Sequence, residues 1–266
     1  MDSKFRTTEI SDPQFESDNL RFITVKTQNL KGRGDICLYV PKLNLPANVP
    51  LVILLHGVYG SAWIWSQKGG VHKTANEMIN QKEIAPMLIA MPSDGLWGDG
   101  SAYLPHNSYN FEKWIVEDVI NAVKENIEEV NDNSPIFIGG LSMGGYGALR
   151  IGAKYPKLFK GFSGHSSITD ISQMTLFVEE SLEDYKQENF EYESILSLMK
   201  RNKTLLPAFR FDCGIDDALI THNRTLHEEL VLECISHEYK EFSGKHEWVY
   251  WINHVKDTLR FFNKLL

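Results

Sequence analysis

Residues Gly140-Leu141-Ser142-Met143-Gly144 set a serine between two glycines, each two positions away. The apolar run Pro135-Ile136-Phe137-Ile138-Gly139 precedes them, and the helix-forming Ala148-Leu149-Arg150 follows. Strand, sharp turn and helix in that order make a nucleophile elbow, which exposes a hydroxyl at a helix N-terminus. The turn is tight enough that only glycine fits on either side. A serine hydroxyl is a poor nucleophile until a base takes its proton, so the pattern calls for a histidine and for an acid to orient it.

In this arrangement the acid and then the histidine follow the serine along the chain. Downstream histidines are His165, His222, His227, His237, His246 and His254. His246 lies in Ser243-Gly244-Lys245-His246-Glu247-Trp248, a glycine-marked turn between the last strand and the last helix. Such a loop lies at the same end of a parallel sheet as the elbow. His222, His227 and His254 fall on helical patterns and suit surface or packing roles. His165 follows a strand and is a candidate pocket residue. For the acid, Phe211-Asp212-Cys213-Gly214-Ile215-Asp216-Asp217 ends a strand and opens a loop. Asp216 and Asp217 both qualify, and placement three residues after the glycine favours Asp217. Asp216 would then be a helix N-terminal charge.

Acyl transfer also needs two backbone N–H donors aimed at the developing oxyanion. One belongs to Met143, the residue after the serine. The other falls in the loop His56-Gly57-Val58-Tyr59-Gly60, after the apolar Leu51–Leu55. Val58 is the expected donor and Tyr59 the alternative, with His56 structural. The aromatic residues Tyr59, Trp63, Trp65, Trp97 and Tyr103 follow strands that end at the same edge, so they are candidates for a substrate pocket. Trp248 and Trp251 read as packing residues of the last helix.

Other chemistries lack their residues. His-Glu pairs occur at His227, His237 and His246, but none has the second histidine of a metalloprotease motif, so no metal is expected. The glycines around Ser142 lack the lysine of a phosphate loop and the third glycine of a dinucleotide fingerprint. No cofactor is expected. The net charge of −8 with no basic stripe argues against a nucleic-acid partner. No run approaches the length of a membrane span. With 42% hydrophobic and 23% charged residues in 266, the chain can bury a sizeable core without staples. Three cysteines, Cys37, Cys213 and Cys234, without a CxxC spacing, suit free thiols in a reducing compartment. Met1-Asp2-Ser3-Lys4-Phe5-Arg6 has no apolar segment of a signal peptide, so the cytoplasm is the expected location, although a leader absent from this sequence would leave the same start. Self-association is left open.

The elements that must hold these groups follow from the apolar pattern. Leu20–Val25 and Asp35–Val40 alternate like an antiparallel pair around Lys31–Gly34. Leu51–Leu55, Pro86–Met91 and Ile136–Ile138 are continuously apolar, as strands buried on both faces should be. Ala208–Phe211 and Ser236–Lys240 are later strands. Helical spacing runs over Phe111–Val130, Ala218–Cys234 and Glu247–Leu266. This alternation implies an α/β protein with a mostly parallel central sheet, an antiparallel N-terminal pair and helices on both faces. Residues 1–18 read as a polar, irregular arm, and residues 19–266 as one domain. Residues 170–206 hold no strand pattern but two helix-like segments, Gln173–Tyr185 and Glu191–Lys200, and read as a small helical cap insertion.

Taken together, Leu54-Leu55-His56-Gly57, the run Gly140 to Leu149, Cys213-Gly214-Ile215-Asp216-Asp217 and Gly244-Lys245-His246-Glu247-Trp248 resemble the esterase D / antigen 85-like branch of the α/β-hydrolase superfamily. The resemblance spans roughly residues 20–264. The run Ser-Met-Gly-Gly-Tyr-Gly-Ala is its most specific part. Glu247 stands where this branch often has Asp, and Gly244-Lys245 replaces its usual Gly-Gly. The resemblance implies the α/β-hydrolase fold, acyl chemistry and Asp217 as the acid. Its members act on varied esters, so the substrate is not inherited.

The expectation is a serine carboxylesterase acting on short-chain acyl or aryl esters of small molecules through an acyl-enzyme. Alternatives are a thioesterase of the S-formylglutathione hydrolase type and a feruloyl or acetyl esterase. A non-enzymatic alternative is a hydrolase-fold binding module that has lost activity.

Overall fold

A computed structural model describes residues 3–266 of the chain. The strands are β1 (Thr8–Ile10), β2 (Leu20–Thr27), β3 (Gly32–Tyr39), β4 (Leu51–Leu55), β5 (Leu88–Pro92), β6 (Pro105–His106), β7 (Tyr109–Asn110), β8 (Ile136–Leu141), β9 (Gly161–His165), β10 (Ala208–Gly214) and β11 (Glu238–Phe242). Nine of them form one sheet in the order β1-β2-β3-β5-β4-β8-β9-β10-β11, and β6 and β7 make a separate ribbon. Pairing is antiparallel from β1 through β3 to β5, and parallel from β5 to β11.

Helices α1 (Ile64–Gln67), α2 (Val71–Asn80), α3 (Phe111–Lys113), α4 (Ile120–Asn126), α5 (Met143–Lys154), α6 (Leu182–Tyr185), α7 (Ile195–Arg201), α8 (Ile220–Leu232) and α9 (Trp248–Asn263) connect the strands. The period-2 geometry of a strand divides the core. Leu51, Ile53 and Leu55 of β4 join one apolar cluster with α5, α7 and α8, whereas Val52 and Leu54 join another with α2 and α9. All five are essentially inaccessible, which explains their unbroken apolar run. The parallel strands therefore end at one edge, where their loops gather.

Three expectations need correction. Thr8–Ile10, inside the stretch read as an irregular arm, pairs with β2. It is a short edge strand whose three residues are too few to show alternation. Met1 and Asp2 of that arm lie outside the described residues. Second, the helix expected over Phe111–Val130 is segmented. α3 leads into a π-helical stretch, Trp114–Val119, then α4, and the backbone turns extended at Ile127. Ile127 and Val130 are buried in a loop, so their helical spacing marked burial without helix. Third, Gln173–Tyr185 is not one helix: a 3-10 turn, Ile171–Leu176, overlaps its start, and the separate α6 forms its end.

Residues 170–206 carry only short helices, each started by a side-chain cap. Asp170, Ser181, Asn189 and Ser194 accept from Ser172, Glu183, Glu191 and Ser197 N–H groups. The segment is tied down by Tyr146 Oη on the Glu193 carbonyl at 2.7 Å and by Tyr185 Oη on that of Gly100 at 2.9 Å. Arg150, wholly buried, donates to the carbonyls of Tyr192 and Tyr103 and lies 2.6 Å from Glu112 Oε2.

His72, in the first turn of α2, is buried with neither ring nitrogen hydrogen-bonded among the described residues. Burial lowers its pKa, and Lys73 adds to this against the opposing pull of Asp18. The unfolded chain therefore binds a proton that the fold refuses, and stability falls as pH drops below 6.5. His72→Leu should gain about 1 kcal/mol at neutral pH and lose less stability between pH 7.5 and 5 than the parent, as read from urea midpoints. An unchanged pH dependence would refute this reading.

Candidate active site

β8 ends at Leu141, and Ser142 sits at the turn into α5 with φ 53° and ψ −120°. That left-handed backbone is costly for a serine and is held by its surroundings. Its N–H donates to the His165 carbonyl at 2.9 Å. A Cβ at Gly140 would strike the Gly144 carbonyl, and one at Gly144 would strike the carbonyls of Leu55 and His56. The glycine spacing is thus a packing requirement, of the elbow against its own helix start at Gly140 and against the end of β4 at Gly144.

His246 Nε2 lies 3.0 Å from Ser142 Oγ. His246 Nδ1 lies 3.1 and 3.0 Å from the two Asp217 carboxylate oxygens. A carboxylate only accepts, so Nδ1 carries the proton and Nε2 is free to accept from the serine hydroxyl. Asp217 is buried, and its carboxylate also takes the Leu219 N–H at 2.8 Å. Burial pushes the Asp217 carboxyl up, but hydrogen bonding and charge from His246 outweigh it and hold the group below the usual carboxylate range. Asp216, exposed on the same turn, gives its backbone N–H to the Gly244 carbonyl and is not the residue paired with the imidazole.

The donors for an oxyanion follow from the same loops. Met143 is the first residue of α5, so its N–H has no intrahelical acceptor. Gly57 brings its backbone close against Ser142, because a Cβ there would lie 3.2 Å from the serine Cβ. The Val58 N–H has no hydrogen-bond acceptor among the described residues, whereas the Tyr59 N–H is taken by the Asp99 carbonyl at 2.8 Å. Of the two amides, the Tyr59 N–H is thus already engaged.

His56 controls the Val58 amide. Its Nε2 accepts the Asp94 N–H at 3.1 Å, so Nδ1 is the protonated nitrogen and donates to the Gly57 carbonyl at 2.7 Å. The Gly57 carbonyl and the Val58 N–H belong to one planar peptide and point opposite ways. Fixing the one aims the other. His56→Ala should lower kcat about 10- to 100-fold with little change in KM, since misaligned oxyanion donors cost transition-state binding alone. A rise in KM alone would argue against this role.

A cavity of about 450 Å³ opens onto Ser142 and His246. Its remaining walls include Val58, Tyr59, Ile64, Phe177, Trp248 and Trp251, with Lys68 and Glu247 as its charged members. Phe177 stacks on the His246 ring at 5.2 Å, and Trp251 meets it edge-on at 5.0 Å. Of the residues expected to shape a pocket, only Tyr59 is on this wall. Trp65 is buried, donates to the Leu55 carbonyl and backs Trp248 edge-on at 5.7 Å. Trp63 is half exposed at the start of α1, outside the cavity lining. Trp97 packs between His106 and Tyr185. Tyr103 is buried and bridges the N–H and carbonyl of His56. His165 is buried against Asp212 and Thr258.

Sequence reading missed Phe177, Trp248 and Trp251. The two tryptophans stand two and five residues after His246. The first turns of a helix that begins at the site face the site, which was an available signal. Phe177 had none, because it comes from an irregular segment.

A nine-stranded, mostly parallel sheet with an elbow serine, a loop histidine and a buried aspartate defines an α/β-hydrolase of the serine type. Residues 27–262 match the family model described as "Putative esterase", and the chain belongs to that esterase family. It is a carboxylic ester hydrolase. An acetyl esterase of Caldicellulosiruptor saccharolyticus is 27% identical over 236 residues, covering 82% of this chain and 85% of that protein. A ferulic acid esterase structure superposes with a TM-score of 0.79 at 19% identity, covering 99% of this chain and 100% of the other. An S-formylglutathione hydrolase from Agrobacterium tumefaciens also gives 0.79, at 18% identity, covering 98% and 99%. These two structures establish the likeness of fold. No helix among the described residues is long and apolar enough to cross a membrane.

Proposed function

We propose that Ser142 attacks the carbonyl of a small ester while His246 takes its proton and Asp217 holds the imidazole in the accepting tautomer. The Val58 and Met143 amides stabilise the oxyanion. His246 returns the proton to the leaving alcohol, then draws one from the water that releases the acyl group. The observation that carries this reading is the 3.0 Å approach of His246 Nε2 to Ser142 Oγ, with Asp217 on the other ring nitrogen. This chemistry needs no cofactor.

The cavity volume lies at the low end for ligand sites, which supports short acyl groups. The name of the acetyl esterase relative supports the same class. Phe177, Trp248 and Trp251 favour a flat aryl group as the other accepted shape. Residues 170–206 act as a cap, supported by Phe177 lying on the imidazole. The unpaired Cys37, Cys213 and Cys234 support a reducing compartment such as the cytoplasm.

A panel of p-nitrophenyl acetate, butyrate and octanoate, methyl ferulate and S-formylglutathione tests the assignment. The acetate or butyrate should exceed the octanoate by at least about tenfold in kcat/KM, one methylene being worth about 1–3 kcal/mol of discrimination in such a pocket. A preference for the octanoate would overturn the short-acyl reading, and S-formylglutathione as the best substrate would move the assignment to a thioesterase.

A further inference from the structure

Beneath the site lies a second histidine–aspartate pair that no solvent reaches. Asp212 on β10 and His165 at the end of β9 are buried, with His165 Nδ1 3.0 Å from Asp212 Oδ1. Arg210 Nη2 lies 2.8 Å from Asp212 Oδ2. On its other side the His165 ring meets Thr258 Oγ1 at 2.8 Å, and Thr258 also takes Arg210 Nη1 at 3.0 Å and faces Ser163 Oγ at 2.6 Å. Thr258 Oγ1 thus sits at the centre of the imidazole, the guanidinium and the Ser163 hydroxyl, with one proton and two lone pairs to share among them. No substrate can enter, so the cluster has no chemistry of its own.

Its connections run to all three loops of the site. Leu141, His165 and Asp212 form one row across β8, β9 and β10, a single residue short of the nucleophile. His165 gives its ring to Asp212 and its carbonyl to the Ser142 N–H. Asp212 gives its own carbonyl to the Ser166 N–H at 2.7 Å. Tyr250, on the first turn of α9, donates its hydroxyl to Asp212 Oδ1 at 2.8 Å. The Tyr250 ring packs so closely on Gly244 that a Cβ there would lie 2.7 Å from Tyr250 Cδ2. Gly244 is two residues before His246, and its carbonyl accepts the Asp216 N–H at 3.0 Å, next to Asp217.

We propose that Asp212 and Tyr250 are positioning residues for the reaction, a buried tether that sets the His246 loop and the Ser142 turn in register with one another. The inference rests on the assignment of Ser142 as nucleophile. A hydrogen-bonded post common to the three loops fixes relative positions that loop backbone alone leaves soft. A misplacement near 1 Å between base and nucleophile costs about 100-fold in rate. Burial pushes the Asp212 carboxyl up, yet His165 and Arg210 hold it down at about 2, so the tether is ionised throughout the assay range.

Tyr250→Phe removes one hydroxyl and keeps the ring against Gly244. With p-nitrophenyl acetate its kcat should fall about tenfold while KM holds within about twofold. Modification by a fluorophosphonate should slow in the same ratio, with the melting temperature still far above the assay temperature. Asp212→Asn should lose about 100-fold in kcat, and the double variant should be little worse than Asp212→Asn, because both changes cut one tether. A folded Tyr250→Phe with parental kcat, or with a change in KM alone, overturns the proposal. If Asp212→Asn does not fold, Tyr250→Phe decides by itself. A parent enzyme that the probe fails to label at Ser142 refutes the nucleophile assignment instead, so the two failures are distinguishable.

Discussion

Ser142→Ala is expected to lower kcat/KM for p-nitrophenyl acetate by about 10⁴- to 10⁶-fold while leaving the fold intact. The size follows from the geometry. Without Oγ no acyl-enzyme forms, and His246 and Asp217 have nothing to activate except water. The residual rate over solution would come from the proposed Val58 and Met143 amide donors and from binding. The substitution removes one oxygen from a buried residue whose backbone is set by Gly140, Gly144 and the His165 carbonyl. Unfolding curves of the variant and parent should therefore nearly coincide. A variant with more than about a tenth of parental activity would place the nucleophile elsewhere.

Asp217→Asn is expected to cost about 10⁴-fold in kcat. Both Asp217 oxygens face the protonated Nδ1 of His246, and the carboxylate is buried. An amide that turns its NH₂ toward Nδ1 favours the opposite tautomer, whose Nε2–H cannot accept from Ser142. It also removes the charge that stabilises the imidazolium formed in the transition state. The carboxyl is already below its ordinary range and ionised at neutral pH, so its protonation should enter the activity profile only well into acid. The matching control is Asp216→Asn, which should keep near-parental activity because Asp216 is exposed and contributes a backbone amide alone. If Asp216→Asn were the damaging change, the acid would be misassigned.

Much of the site could be read from the chain because its chemistry constrains sequence locally. The elbow needs glycines at fixed offsets, and Gly140 and Gly144 are required by backbone carbonyls that any Cβ would hit. The loop after the last parallel strand opens at the same edge as the elbow, which pointed to His246, and its Nε2 lies 3.0 Å from Ser142 Oγ. Placement three residues after Gly214 favoured Asp217 over Asp216, and it is the Asp217 carboxylate that faces His246 while Asp216 is exposed. The fold was legible where burial is two-sided, as in β4 and β8, or alternates along a long strand, as in β2, and obscured where neither pattern has room to show. β1 is an exposed edge of three residues, and the π-helical stretch at Trp114–Val119 leaves no mark on apolar spacing. The cavity walls were least legible. Phe177 and Trp251 meet the His246 ring and Trp248 shares their wall, whereas of the aromatic residues after the early strands Tyr59 alone lines the cavity, Trp65 and Tyr103 are buried, and Tyr103 braces His56.

The central claim is that Ser142 Oγ is a nucleophile made reactive by His246. The most direct measurement is mass spectrometry of the protein after brief exposure to a fluorophosphonate, with peptide mapping of the adduct. One phosphonyl group should appear, on the peptide that contains Ser142, and His246→Ala should slow its formation by orders of magnitude. An adduct on another residue, or labelling at Ser142 that proceeds equally fast without the imidazole, would contradict the account.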